Sequence, residues 1–177
     1  MERGSPGSLD GMTAFVTGGS GGIAVACALA LLRDGANLML MARRRNELER
    51  TKEMMLSQVP GGRIEIYAGD ALDGVSRQGA LNAAQNIAQR LDVVLASVGG
   101  PKFRPILLET AEGYRDAFEL NVVSAFLAVY HAAPLMPRGH TLVCVSSVCA
   151  TTTFRGVSAY GVSKAALDMF VRYAPDE

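Results

Sequence analysis

The chain has 177 residues, enough for one domain with a buried core. Hydrophobic residues make up 49% and charged residues 19%, a globular rather than a disordered composition. Lys plus Arg and Asp plus Glu both number 17, so the net charge is zero; with no Trp and five Tyr, the chain lacks the basic field and stacking aromatics of a nucleic-acid binder.

Residues 1–10, with Gly4, Ser5, Pro6, Gly7 and Ser8, read as a flexible tail, and 11–177 as a single domain. Met12–Thr17 predicts a short apolar strand ending in glycines. Gly21–Arg33 predicts an Ala/Leu-rich helix closed by Gly35, and Asn37–Ala42 a second strand. Asn46–Ser57 predicts a charged helix with Asn46 at its N-cap. Arg63–Ala68 alternates and predicts a third strand; Asp73–Arg90 carries Leu81, Ala84 and Ile87 at helix spacing. Asp92–Ala96 predicts a fourth strand, followed by the loop Gly99-Gly100-Pro101. Thr110–Ala133 predicts one long helix stopped by Pro134, Thr141–Val145 a fifth strand, and Ser158–Tyr173 a last helix ended near Pro175.

Apolar strands alternating with helices predict an α/β fold: a doubly wound parallel sheet with helices on both faces, a Rossmann-type three-layer α/β/α arrangement. Residues 12–32 carry no charge, but the glycines inside them leave only Ile23–Leu32 as a continuous apolar run, too short to span a bilayer. Cys27, Cys144 and Cys149 form no CxxC pair, and His131 and His140 are isolated. These features predict a soluble cytoplasmic protein without disulfides, metal or membrane attachment.

Thr17-Gly18-Gly19-Ser20-Gly21-Gly22-Ile23-Ala24 lies between the first strand and the first helix. Glycines there let the main chain turn tightly and approach a pyrophosphate, and the helix N-terminus adds unpaired N–H groups. The position after the first strand makes this a dinucleotide-loop signal rather than a plain turn. Gly18-Gly19-Ser20-Gly21-Gly22 also fits the G-x-S-x-G elbow of serine hydrolases, with Ser20 as nucleophile and His140 available on chain order. A Walker loop is excluded because no Lys-Ser/Thr pair follows the glycines.

The second strand ends Met41-Ala42-Arg43-Arg44-Arg45, where NAD enzymes place an acid for the ribose 2′-hydroxyl. Arginine is the partner for a 2′-phosphate, so Arg43 and Arg44 predict NADP(H). The competing explanation is a solvated cluster pairing with Glu47 and Glu49. In Ser158-Ala159-Tyr160-Gly161-Val162-Ser163-Lys164, Tyr160 and Lys164 are four apart and share one helix face. An ammonium beside a phenol favours the phenolate, although such a pair also arises by chance. Ser146 and Ser147 end the fifth strand, so glycine loop, arginines and serines all fall at carboxyl ends of strands, where open parallel sheets bind ligands.

Together these residues resemble the short-chain dehydrogenase/reductase family. Thr17–Ala24 is similar to its T-G-x-x-x-G-x-G loop and Tyr160–Lys164 to its Y-x-x-x-K motif, with Ser147 thirteen residues before Tyr160. Asn121 matches the family's helix asparagine and Asp70 its adenine-contacting aspartate. The resemblance implies Tyr160 as general acid/base, Ser147 orienting the substrate oxygen, Lys164 on the nicotinamide ribose, and Asn121 holding a relay water. It implies cofactor contacts from Thr17, Gly18, Ser20, Gly21, Gly22, Ile23, Arg43, Arg44, Asp70, Ala71, Ser97, Gly99, Tyr160 and Lys164. It further implies hydride transfer between NADP(H) and an alcohol or carbonyl compound, in a homodimer or homotetramer.

The sequence departs from the family at Ala24, the loop's last glycine, and at Ala96-Ser97-Val98-Gly99, where the family has N-N-A-G. Family members also continue with two more strands and a substrate loop, so the sheet is expected to be cut short after the fifth strand and its helix. Two further readings are a non-catalytic NADP(H)-binding sensor or structural module, and a serine hydrolase using Ser20.

Overall fold

The structure, a computed structural model, describes residues 8–137 and 139–174. Five parallel strands form one sheet in the order β3-β2-β1-β4-β5. They are β1 (Thr13–Thr17), β2 (Asn37–Ala42), β3 (Ile64–Ala68), β4 (Val93–Ala96) and β5 (Thr141–Cys144). The order reverses between β1 and β4, the topological switch point at which such sheets bind ligands. The helices are α1 (Gly22–Arg33), α2 (Arg45–Gln58), α3 (Gly74–Ala88), α4 (Ala111–Phe118), α5 (Ser124–Ala132) and α6 (Ser158–Tyr173).

Successive strand residues face opposite sides, and both sides are covered over most of the sheet. Phe15, Met39, Met41 and Val94 pack under Ala80, Leu81 and Ala84 of α3, Ala125 and Ala128 of α5, and Leu167 of α6. Ala14, Val16, Leu38 and Leu40 pack under Ala24, Ala28 and Leu32 of α1, with Leu48 and Met55 of α2. These are the three expected layers, and each predicted strand and helix is present within a few residues of its expected limits.

Four details differ. The expected tail covers residues 1–10, of which 1–7 lie outside the described residues; Leu9, however, is anchored, its N–H donating to Asp34 at the end of α1 at 3.0 Å. Asn46 is not the N-cap of α2; Arg44 is, without a side-chain cap, because the helix starts at Arg45. Asp73 sits just outside α3 and caps it, accepting from the Ser76 N–H at 2.7 Å, which holds its carboxyl below the usual range. The predicted helix Thr110–Ala133 is not uniform. Thr110 caps α4 by accepting from the Gly113 N–H, and Glu119–Val123 then form a π-helical turn before α5. Pro134 lies in a 3-10 turn, Ala133–Leu135, that ends the run, and the Pro175 stop lies outside the described residues.

The stretch with the length and hydropathy of a membrane span is not 12–32 but Ala111–Leu135, with 25 residues. Ala125, Ala128 and Ala132 on it are buried against the sheet.

Candidate active site

Each strand end at the switch point delivers one part of the site. After β1 the chain turns at Gly18, whose φ of +70° favours glycine. A Cβ there would lie 3.1 Å from the Ser97 carbonyl, so the glycine lets the loops after β1 and β4 touch. Thr17 is buried, and its Oγ1 accepts from the Ser97 N–H at 3.3 Å, pinning the same two loops from beneath. Gly19 N–H donates to Met41 O at 2.9 Å, which ties the loop to the end of β2.

Between these loops lies an open cavity of about 460 Å³. The glycine loop contributes Gly18, Ser20 and Gly21; the end of β2 contributes Met41, Ala42, Arg43 and Arg44. Asp70 and Ala71 close one side, and Ser97, Val98 and Gly99 the other. Asp70 makes an Asx turn, its Oδ1 accepting from the Leu72 N–H at 2.9 Å. Arg77, almost wholly buried, donates to Ala71 O at 2.9 Å and supports that turn; burial pulls its pKa down. Among the residues expected at the cofactor, Thr17, Gly22, Ile23, Tyr160 and Lys164 do not line the cavity; Thr17 is buried beneath it and Ile23 is 61% exposed. Leu72 and Leu120 also line it, although isolated leucines in loops and helices carry no site signal in the sequence.

The three arginines are not equivalent. Arg44 pairs with Glu47 at 2.6 Å and Arg45 with Glu49 at 3.9 Å, the pairing expected of a solvated cluster. Among the described residues, Arg43 makes no ion pair, and it lines the cavity.

Of the residues matched to catalysis, Asn121 and Lys164 stand beside the cavity, next to Gly99. The π turn carries Asn121, fully buried, and π turns recur at functional sites. Its Oδ1 accepts from the Gly100 N–H at 2.9 Å, and its Nδ2 donates to Ala117 O at 2.9 Å, so the side chain clasps the loop after β4. A Cβ on Gly99 would come 2.6 Å from Asn121 Oδ1 and 3.2 Å from Lys164 Nζ. Gly99 is thus where cavity, asparagine and lysine meet.

Lys164, on α6, is buried and donates to Val145 O at 2.7 Å, which leaves two of its three protons for other acceptors. Burial pulls its pKa down, against the opposing pull of Cys144 and Asp168. Its Nζ lies 5.9 Å from the centre of the Tyr160 ring one helical turn earlier. Ser147 follows β5, and its Oγ accepts from the Cys149 N–H at 3.2 Å, a local turn contact that leaves the hydroxyl proton available.

The arrangement does not suit a Ser20 hydrolase. Ser20 lies past the carboxyl end of β1 and donates to Glu47 at 3.3 Å, whereas His140 precedes β5, at the amino ends of the parallel strands.

The cavity fits a dinucleotide phosphate. Two backbone loops brought together at Gly18, a helix N-terminus beyond them and an arginine without an ion pair among the described residues are the donors such a group needs.

The family model for short chain dehydrogenases matches residues 12–177. An uncharacterised oxidoreductase of Mycobacterium tuberculosis is 31% identical over 94% of this chain and 64% of its own length. A tropinone reductase homolog of Arabidopsis thaliana is 32% identical over 93% of this chain and 61% of its own. The structure of a short-chain type dehydrogenase/reductase from Mycobacterium ulcerans superposes with a TM-score of 0.89 at 31% identity, covering 96% of this chain and 63% of that one. The chain spans a little under two thirds of the length of these relatives. With its sheet order, its glycine loop and a family match running from the first strand to its last residue, the chain belongs to the short-chain dehydrogenase/reductase family.

Proposed function

We propose that this chain works in an oxidoreductase that uses NADP(H) to interconvert a small alcohol and its carbonyl compound. The observation that carries the reading is the meeting at Gly99 of the 460 Å³ cavity with Asn121 and Lys164. When bound, NADP(H) supplies or accepts the hydride. Tyr160 gives or takes the proton at the substrate oxygen, and Ser147 donates a hydrogen bond to the same oxygen. Lys164, with two protons to offer, holds ribose hydroxyls beside Tyr160. The backbone of Gly18–Gly21 and the side chain of Asp70 hold the phosphates and adenosine.

The choice of NADP(H) rests on Arg43, which faces the cavity without an ion pair among the described residues. The second arginine, Arg44, is a weaker support because Glu47 engages it. For the homo-oligomer, α5 and α6 offer an apolar face. Phe126 stacks on Tyr130 at 5.5 Å and meets Phe170 at 5.9 Å, with Val162 and Met169 exposed near half of their area.

Fluorescence titration of the chain with NADPH and with NADH tests the cofactor reading. NADPH is expected to bind more tightly, and Arg43→Ala to weaken it about tenfold while NADH changes little, since a charge-assisted bond contributes about 1.5–3 kcal/mol. Equal affinities in the unaltered chain would overturn the choice of NADP(H).

A further inference from the structure

Glu47 stands between the glycine loop and the arginines. A single carboxylate oxygen, Oε2, accepts from Arg44 Nη2 at 2.6 Å and from Ser20 Oγ at 3.3 Å. Both donors line the cavity, next to Arg43. Glu47 lies in the first turn of α2, where the helix dipole favours a carboxylate, and its side chain is one-third exposed.

We infer that Glu47 is a specificity-determining residue that withholds Arg44 and Ser20 from a 2′-phosphate and so limits how far the site favours NADP(H) over NAD(H). The inference rests on the dinucleotide reading above. A 2′-phosphate is an anion, and to recruit Arg44 and Ser20 it must displace Glu47 or sit beside a like charge. A ribose 2′-hydroxyl meets no such penalty, because a hydroxyl donates to a carboxylate. The cost therefore falls on one cofactor and not the other. Arg43, without an ion pair among the described residues, is the donor available to phosphate from the start. With two of the three consecutive arginines paired with glutamates, the expected preference is graded rather than absolute.

The test is Glu47→Gln, which keeps the shape and one acceptor oxygen while it removes the charge and turns the other oxygen into an amide donor. Dissociation constants for NADPH, NADH and the fragment 2′,5′-ADP are measured by titration calorimetry at low and high salt. NADPH and 2′,5′-ADP are expected to bind about fivefold more tightly in the variant at low salt, with NADH within about twofold of the unaltered chain. The gain should shrink as salt screens the charge. Unchanged or weaker NADPH binding, or an equal gain for NADH, would overturn the inference. The two readings fail differently. If the unaltered chain prefers NADPH and Glu47→Gln leaves the ratio as it was, this inference falls and the cofactor reading stands. If neither chain distinguishes the cofactors, the cofactor reading falls and this one with it.

Discussion

Strand β1 is buried along its whole length, whereas β5 alternates between exposed and half-buried positions, with Val143 42% exposed. The two strands carry different parts of the site. The cradle after β1 is built from backbone: Gly18, Gly19 and Gly21 are held by main-chain hydrogen bonds to each other and to Met41. Its shape follows from core packing, because moving it means moving β1 and β2. The catalytic groups proposed after β5 are instead side chains, Ser147 and Tyr160, beyond a strand that is covered only in part. The proposed function would thus have cofactor binding rest on the core-anchored loop after β1 and the proton donor on α6, with Gly99, beside Asn121 and Lys164, between them.

The widest separation of the two regions is expected from Tyr160→Phe. Turnover with a reducible carbonyl substrate should fall about a thousandfold, the loss typical of a missing general acid, while the NADPH dissociation constant stays within about twofold. Loss of both together would break the comparison. Retained biological effect without turnover would favour the binding-module reading instead.

Gly99→Ala strikes the contact itself. The added methyl would meet Asn121 Oδ1 at 2.6 Å, and overpacking of this kind costs about 1–3 kcal/mol. Thermal stability, NADPH affinity and turnover should all decline together. A variant that loses only turnover would show that the cradle does not depend on this contact.

The smallest effect concerns Lys164 and pH. Burial places its folded-state pKa below the ordinary lysine value, so between the two values the unfolded chain binds more protons than the folded one. Stability then rises with pH through that alkaline window, and the penalty is fully present at lower pH. Lys164→Met should remove the rise, as urea denaturation at two alkaline pH values would record. An unchanged slope would mean that the lysine charge is accommodated where it lies.

Much of this was legible in the sequence because it is written in period and punctuation. All five strands announce themselves as short apolar or alternating runs and the phosphate loop as the glycine cluster after the first of them, and α6 matches its predicted limits of Ser158–Tyr173. What escaped is what local pattern does not encode. Glu119-Leu120-Asn121-Val122-Val123 has ordinary helix composition, so its π turn is invisible without the loop that Asn121 must reach. Asn46 has the better capping side chain, yet the chain leaving β2 is already helical at Arg45, so the N-cap of α2 falls on Arg44. Arg43 and Arg44 look alike in sequence; only the spacing of Arg44 to Glu47, three residues on, hinted that one of them is engaged.

The π turn also sets how this stretch tolerates change in length. A helix advances about 100° per residue, so one extra residue in a turn resets the phase of everything after it. The π turn, 119–123, and the helix after it, 124–132, can therefore answer separate demands, Asn121 meeting Gly100 while Ala125, Ala128 and Ala132 face the sheet. Deleting one residue from Glu119–Val123 would give a smoother helix and put one of those two faces out of register.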